Sequence, residues 1–182
     1  QINMAVGQGD VLVTPLQLAN AYATLANGGT HYQPQVVARV LAPGAQLDLA
    51  GNPTDPEMVV ETVEPVVVNQ VTFPPGFIDA VTTGLIGVVD NGRGTAYPTF
   101  SGFDLAMFPI AGKTGTAEVA GKVDTSWFAA FAPVGDPRYA AAAVLEQSGN
   151  GADGGGPVVR RIYEQASGQQ QTAAEDIAEG TE

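Results

Sequence analysis

The 182-residue chain contains no cysteine. That absence excludes disulfides, thiolate metal sites and a cysteine nucleophile. Lysine is nearly missing as well, with only Lys113 and Lys122. The 19 acidic residues outnumber the 7 basic ones and leave a net charge of -12. Such a chain repels phosphate backbones, so no nucleic acid is expected as a partner. Charged residues make up 14%, well under the usual quarter, which suggests large buried surfaces or a piece of something bigger. No apolar run reaches the ~18 residues of a membrane span, and no signal peptide opens the chain. No metal or cofactor is expected.

What is present is a hydrophobic content of 45%, enough for one packed core. The 23 glycines and 13 prolines favour many turns and short strands. The spacing predicts a helix from about Thr14 to Asn27. Thr14 suits the N-cap, Pro15 the first turn, and Gln17 completes a Thr-x-x-Gln capping box. Its apolar residues cover most of its circumference, so it is expected to be buried. A strand is expected over 35–41, a loop over 43–57, and one or two strands over 58–68, interrupted by Pro65. Apolar spacing over 77–89 predicts an amphipathic helix. Three strands are expected over 110–118, 125–133 and 138–147. Their short links make them antiparallel neighbours. A glycine-rich loop (148–156) and a helix (157–166) follow, where Arg160-Arg161 would complement the helix C-terminus. The order is that of an α+β fold, an antiparallel sheet with helices packed on it.

The run Lys113-Thr114-Gly115-Thr116 lies inside the first of those three strands. An ammonium beside hydroxyls holds a carboxylate, and Gly115 lets another backbone approach closely. An extended peptide could pair with such a strand edge, and the Thr116 N–H could serve as an oxyanion-hole donor. Alone, the tetrapeptide reads more simply as a strand end with a surface lysine. A phosphate-binding loop is the rival reading of Gly112-Lys113-Thr114. It needs a glycine where Met107 stands, and Pro109 removes an N–H from the cradle.

Lys-Thr-Gly is also one of the shared motifs of penicillin-binding proteins and β-lactamases. Around it, Val6-Gly7-Gln8-Gly9, Thr14-Pro15-Leu16-Gln17, Ala26-Asn27-Gly28-Gly29, Gly94-Thr95-Ala96, Trp127-Phe128 and Phe131-Ala132-Pro133 stand in order. With Pro157-Val158-Val159 closing the series, the chain resembles the C-terminal part of a class B penicillin-binding protein transpeptidase domain. Residues 43–75 and 167–182 carry no counterpart. The resemblance implies a serine β-lactamase-like fold, with 1–166 as the C-terminal portion of the domain and 167–182 as an acidic disordered tail. It implies a D,D-transpeptidase that cross-links peptidoglycan stem peptides through a serine acyl-enzyme, with β-lactams as covalent inhibitors. Lys113, Thr114, Gly115 and Thr116 would bind the D-Ala-D-Ala end, with Lys113 supporting catalysis. A glycosyltransferase partner, the extracytoplasmic face of the bacterial membrane and an N-terminal anchor upstream are implied as well. The elongation type is favoured over the division type on the segment Asn3–Gly9.

One departure qualifies this. Ser101, Ser126, Ser148 and Ser167 are the four serines, and three positions on stand Asp104, Ala129, Gly151 and Gln170. None begins Ser-x-x-Lys, so no lysine base is paired with a serine. Ser148-Gly149-Asn150 spells Ser-x-Asn but follows Lys-Thr-Gly, where the family has it before, and reads as a turn. Both missing motifs are expected upstream of Gln1, and this chain alone is expected to be inactive. The alternative is a non-catalytic β-lactam sensor or pseudoenzyme scaffold of the same fold. His31 reads as a solvent or loop histidine, and Asn91-Gly92-Arg93-Gly94 as a helix-ending loop rather than an anion nest.

Overall fold

The computed structural model describes residues 7, 11–48 and 51–169. Helix α1 spans Pro15–Ala26. Its capping box is formed as expected: Thr14 Oγ1 accepts from the Gln17 N–H at 3.2 Å, and Gln17 Oε1 from the Thr14 N–H at 2.8 Å. Asn27 closes the other end, its Oδ1 accepting from the Gly29 and Thr30 N–H groups. Gly29 is required there. Its φ is +113°, and a Cβ would stand 2.1 Å from the Val71 carbonyl oxygen. The expected burial of α1 is corrected. Thr24 is its one buried residue, and Leu16 is 62% exposed. The helix lies against β1, β6 and β7 (defined below), and no described element covers its Leu16 side.

Four short strands follow. β1 (Thr30–Tyr32) pairs antiparallel with β4 (Val67–Gln70), and β2 (Arg39–Leu41) with β3 (Val59–Thr62). The strand expected over 35–41 forms only at its last three residues, the part with a partner opposite. β1 was not foreseen. Pro65 falls between β3 and β4, where its missing N–H does no harm. The loop expected over 43–57 contains one 3₁₀ turn at Pro56–Met58. Helix α2 then runs Phe77–Asp90, one residue longer than its apolar spacing predicts.

The expected meander is present as β5 (Ala111–Ala117), β6 (Thr125–Ala132) and β7 (Tyr139–Leu145), antiparallel and in that spatial order. Alternation sends Phe128, Ala130 and Ala132 to the same face as Ala141 and Ala143. Helix α3 (Gly155–Ser167) packs against β6 and β7, and Val159 and Tyr163 join those residues in the core. The core is completed by Phe100, Phe103 and Phe108 from the turn-rich segment before β5. α3 starts two residues earlier than Pro157 suggested. Gly154 and Gly155 lie so close to the sheet that a Cβ would reach 2.6 Å from Ser126 Oγ and 2.8 Å from the Phe128 N.

Arg160 does not act at the helix end as expected, because α3 continues to Ser167. Its Nε pairs with Glu164 Oε1 at 2.8 Å, and Nη1 donates to the Thr99 and Ser101 carbonyls at 2.7 and 2.8 Å. Glu164 is 2% exposed, so the pair is a buried clamp between α3 and the turn before β5. Gln169 Oε1 accepts from the Asp104 N–H at 2.8 Å. The rest of the segment expected as a tail, 170–182, lies outside the described residues, as do Asn3, Gln8 and Gly9.

Candidate active-site wall

β5 is an edge strand. β6 pairs with one side of it, and no described strand pairs with the other. Its first residues are buried, and a Cβ on Gly112 would press on Phe128 Cζ at 2.8 Å. The strand then surfaces: Lys113 and Thr116 are exposed, Thr114 and Gly115 half-buried. Lys113 Nζ donates to the Thr114 carbonyl at 2.7 Å, which holds the ammonium along the strand. Thr114 Oγ1 and Thr95 Oγ1 share a hydrogen bond of 2.8 Å. Thr95 belongs to the turn that follows α2, and α2 itself lies against β5. The structure therefore places the Lys113 ammonium on the Thr114 carbonyl and pairs two hydroxyls on Thr114, along an edge that no described strand covers. Such a grouping suits an extended ligand with a carboxylate.

A Cβ on Gly115 would meet Trp127 Cβ at 3.1 Å, so its open side faces β6, and the close backbone approach to the strand is made by another glycine, Gly151. A Cβ on Gly151 would lie 2.7 Å from both the N and the O of Gly115 and 2.4 Å from the Trp127 carbonyl oxygen. The 148–154 loop is thus laid on the β5–β6 backbone. Its Ser148-Gly149-Asn150 sequence is a turn. Ser148 Oγ donates to the Leu145 carbonyl at 2.8 Å, and Asn150 Oδ1 accepts from the Ala152 and Asp153 N–H groups.

The other serines have local roles too. Ser126 is fully buried and accepts from the Gly155 N–H at 2.8 Å. Ser101 offers its carbonyl to Arg160, and Ser167 Oγ donates to the Glu164 carbonyl. His31 sits on β1 opposite Asn69, half-buried, rather than in a loop. At Asn91–Gly94 the Asn91 side chain and carbonyl already accept the Arg93 and Gly94 N–H groups, so the segment closes a helix instead of cradling an anion. Sequence reasoning singled out Gly94-Thr95-Ala96 as a motif but missed the contact of Thr95 with Thr114. Among the described residues no His, Asp or Glu cluster could hold a metal, and no helix is long and apolar enough to cross a membrane.

Residues 1–166 match the family model described as the penicillin-binding protein transpeptidase domain. The chain belongs to this family. Among curated transpeptidases, it is similar to the peptidoglycan D,D-transpeptidase MrdA of Haemophilus influenzae, at 29% identity over 178 residues. That match covers 90% of this chain and 25% of the relative. Among solved transpeptidase structures, PBP2 of Pseudomonas aeruginosa in complex with WCK 5153 matches at TM-score 0.67 and 29% identity. It covers 99% of this chain and 35% of that one. The imipenem acyl-enzyme of penicillin-binding protein A from M. tuberculosis matches at TM-score 0.61 and 26% identity, over 90% of this chain and 33% of that one. The α+β architecture is therefore that of the transpeptidase fold. The chain spans about a quarter of the length of the curated relative.

Proposed function

We propose that this chain is the substrate-binding wall of a penicillin-binding D,D-transpeptidase whose serine lies outside these 182 residues. The reading rests chiefly on one observation: Lys113, Thr114, Gly115 and Thr116 occupy an edge strand with its outer side unpaired by any described strand. A stem peptide ending in D-Ala-D-Ala would add along that edge by backbone hydrogen bonds. Its terminal carboxylate would meet Lys113 and the threonine hydroxyls as charge-assisted bonds. The Thr116 N–H would help bind the oxyanion of the tetrahedral intermediate. The serine, activated by a paired lysine, would attack the penultimate carbonyl, release D-Ala and pass the acyl group to a neighbouring amine. β-Lactams would trap the same serine, in keeping with the imipenem acyl-enzyme among the structural relatives.

Residues 1–166 would then be the C-terminal portion of the domain, with the uncovered side of α1 facing the portion that carries the nucleophile. The protein would work at the extracytoplasmic face of the membrane, held by an upstream anchor and paired with a glycosyltransferase, in wall elongation rather than division. The test is the rate of acylation of the full-length protein by a penicillin. Lys113→Ala is expected to lower the second-order rate by about a hundredfold, the loss of one charged partner to a carboxylate. An unchanged rate would remove Lys113 from the site. Acylation without any cross-linking of stem peptides would favour the β-lactam sensor.

A further inference from the structure

We propose that Thr95 is a positioning residue: it donates to Thr114 Oγ1 and so turns the Thr114 hydroxyl hydrogen toward the substrate carboxylate. The inference rests on the carboxylate-binding reading of β5. A hydroxyl has one hydrogen to give and lone pairs to receive. The two oxygens are 2.8 Å apart, and either could donate in the free protein. Once Thr114 gives its hydrogen to an anion, only Thr95 has one left for the bond between them. The pair then becomes a relay, Thr95 to Thr114 to carboxylate, in which each bond polarises the next.

The backbone on both sides of Thr95 is locked, so its hydroxyl is placed rather than merely nearby. At Gly94 a Cβ would fall 2.4 Å from the carbonyl oxygens of Gly87 and Val88, so only glycine fits against the end of α2. Ala96 is fully buried and its N–H donates to the Val88 carbonyl at 3.0 Å. Further on, Thr99 Oγ1 donates to the Ala152 carbonyl at 2.9 Å, and the Thr99 carbonyl accepts from Arg160. The turn is thereby tied to α2 at one end and to α3 and its preceding loop at the other. Threonine adds a branched, stiff χ1. Thr95 is exposed, so water competes for its hydroxyl until a ligand covers the strand. The bond should therefore count in the complex more than in the free fold.

This gives a signature that a purely structural role lacks. A β-lactam acid presents the carboxylate, and its methyl ester does not. In the full-length protein, benzylpenicillin and its methyl ester are compared as acylating agents, and the acid-over-ester ratio of second-order rates is read. Thr95→Val, which keeps the shape and removes the donor, is expected to lower that ratio by about three- to tenfold. Thr95→Ala should match it, and Thr95→Ser should restore most of the ratio. Equal losses for acid and ester, an unchanged ratio in Thr95→Val, or failure of Thr95→Ser to restore it would each overturn the proposal. Lys113→Ala separates the two layers. If it lowers the ratio while Thr95→Val does not, only the Thr95 inference falls. If Lys113→Ala leaves the ratio unchanged, the carboxylate-binding reading falls and takes this one with it.

Discussion

The two halves of this chain differ in where their apolar residues go: both expose some, but among the described residues only the second half buries any fully. From Val89 onward, Phe100, Phe103, Phe108, Ile110, Phe128, Phe131, Val159 and Tyr163 are buried. Before it, Leu12, Leu16, Val36, Val60 and Val66–Val68 stand exposed, Val36 completely. The difference is one of layers. The three-stranded sheet has α3 and an aromatic turn segment packed on it, whereas the two-stranded sheets 30–70 have no layer among the described residues that buries them. An isolated two-stranded ribbon is marginal in water. Stability in the C-terminal half is therefore a property of its own core. In the N-terminal half the two-stranded ribbons depend on strand pairing and caps, while α1 and α2 lean on the three-stranded sheet.

Substitutions put this contrast at risk. Phe128→Ala should cost about 4 kcal/mol in denaturant unfolding, as for other buried aromatics, while Val60→Ser should stay within about 0.5 kcal/mol. Equal costs would erase the distinction. Glu164→Ala should cost about 3 kcal/mol, because it strands the partly buried Arg160 guanidinium between α3 and the Thr99–Ser101 turn. A cost under about 1 kcal/mol would mean that the clamp is ornamental.

The smallest effect concerns the seam between the halves, where Tyr22 of α1 lies within electrostatic reach of Tyr163 of α3. Burial pushes the Tyr22 hydroxyl up from 10.0 to about 12. Burial also raises Tyr163; the Ala141 backbone works against the rise, and Tyr22 adds to it. The Tyr163 hydroxyl has no described partner of normal hydrogen-bond geometry. In both, the folded state holds the proton more tightly than the unfolded chain. The stabilisation is thus complete below pH 10, and stability falls as pH rises through about 12. Tyr22→Phe should flatten that alkaline loss in pH-dependent unfolding. An equally steep loss would mean that Tyr22 is not desolvated.

What could be read in advance was local. The Thr14 and Gln17 cap, the stop at Asn27 and the short links of the meander are each written within a few neighbouring residues. What could not be read depends on distant partners. β1 exists because Thr30 meets Gln70, and the strand expected over 35–41 shrank to the part opposite β3. Phe100, Phe103 and Phe108 enter the core from turns, without the periodicity that marks a helix or strand. α1 has the composition of a buried helix, yet composition does not say whether the covering layer lies in the same 182 residues. At the site, β5 and its tetrapeptide were legible as a motif. The hydroxyl bond from Thr95 spans 19 residues of chain and needed the fold to reveal it.

The central claim is a division of labour: this chain holds the substrate and another part of the protein attacks it. Intact-protein mass spectrometry after incubation with benzylpenicillin tests it directly. The account predicts no adduct on the 182-residue chain and a single adduct on the full-length protein, at a serine outside this chain. An adduct on Ser101, Ser126, Ser148 or Ser167 would contradict it.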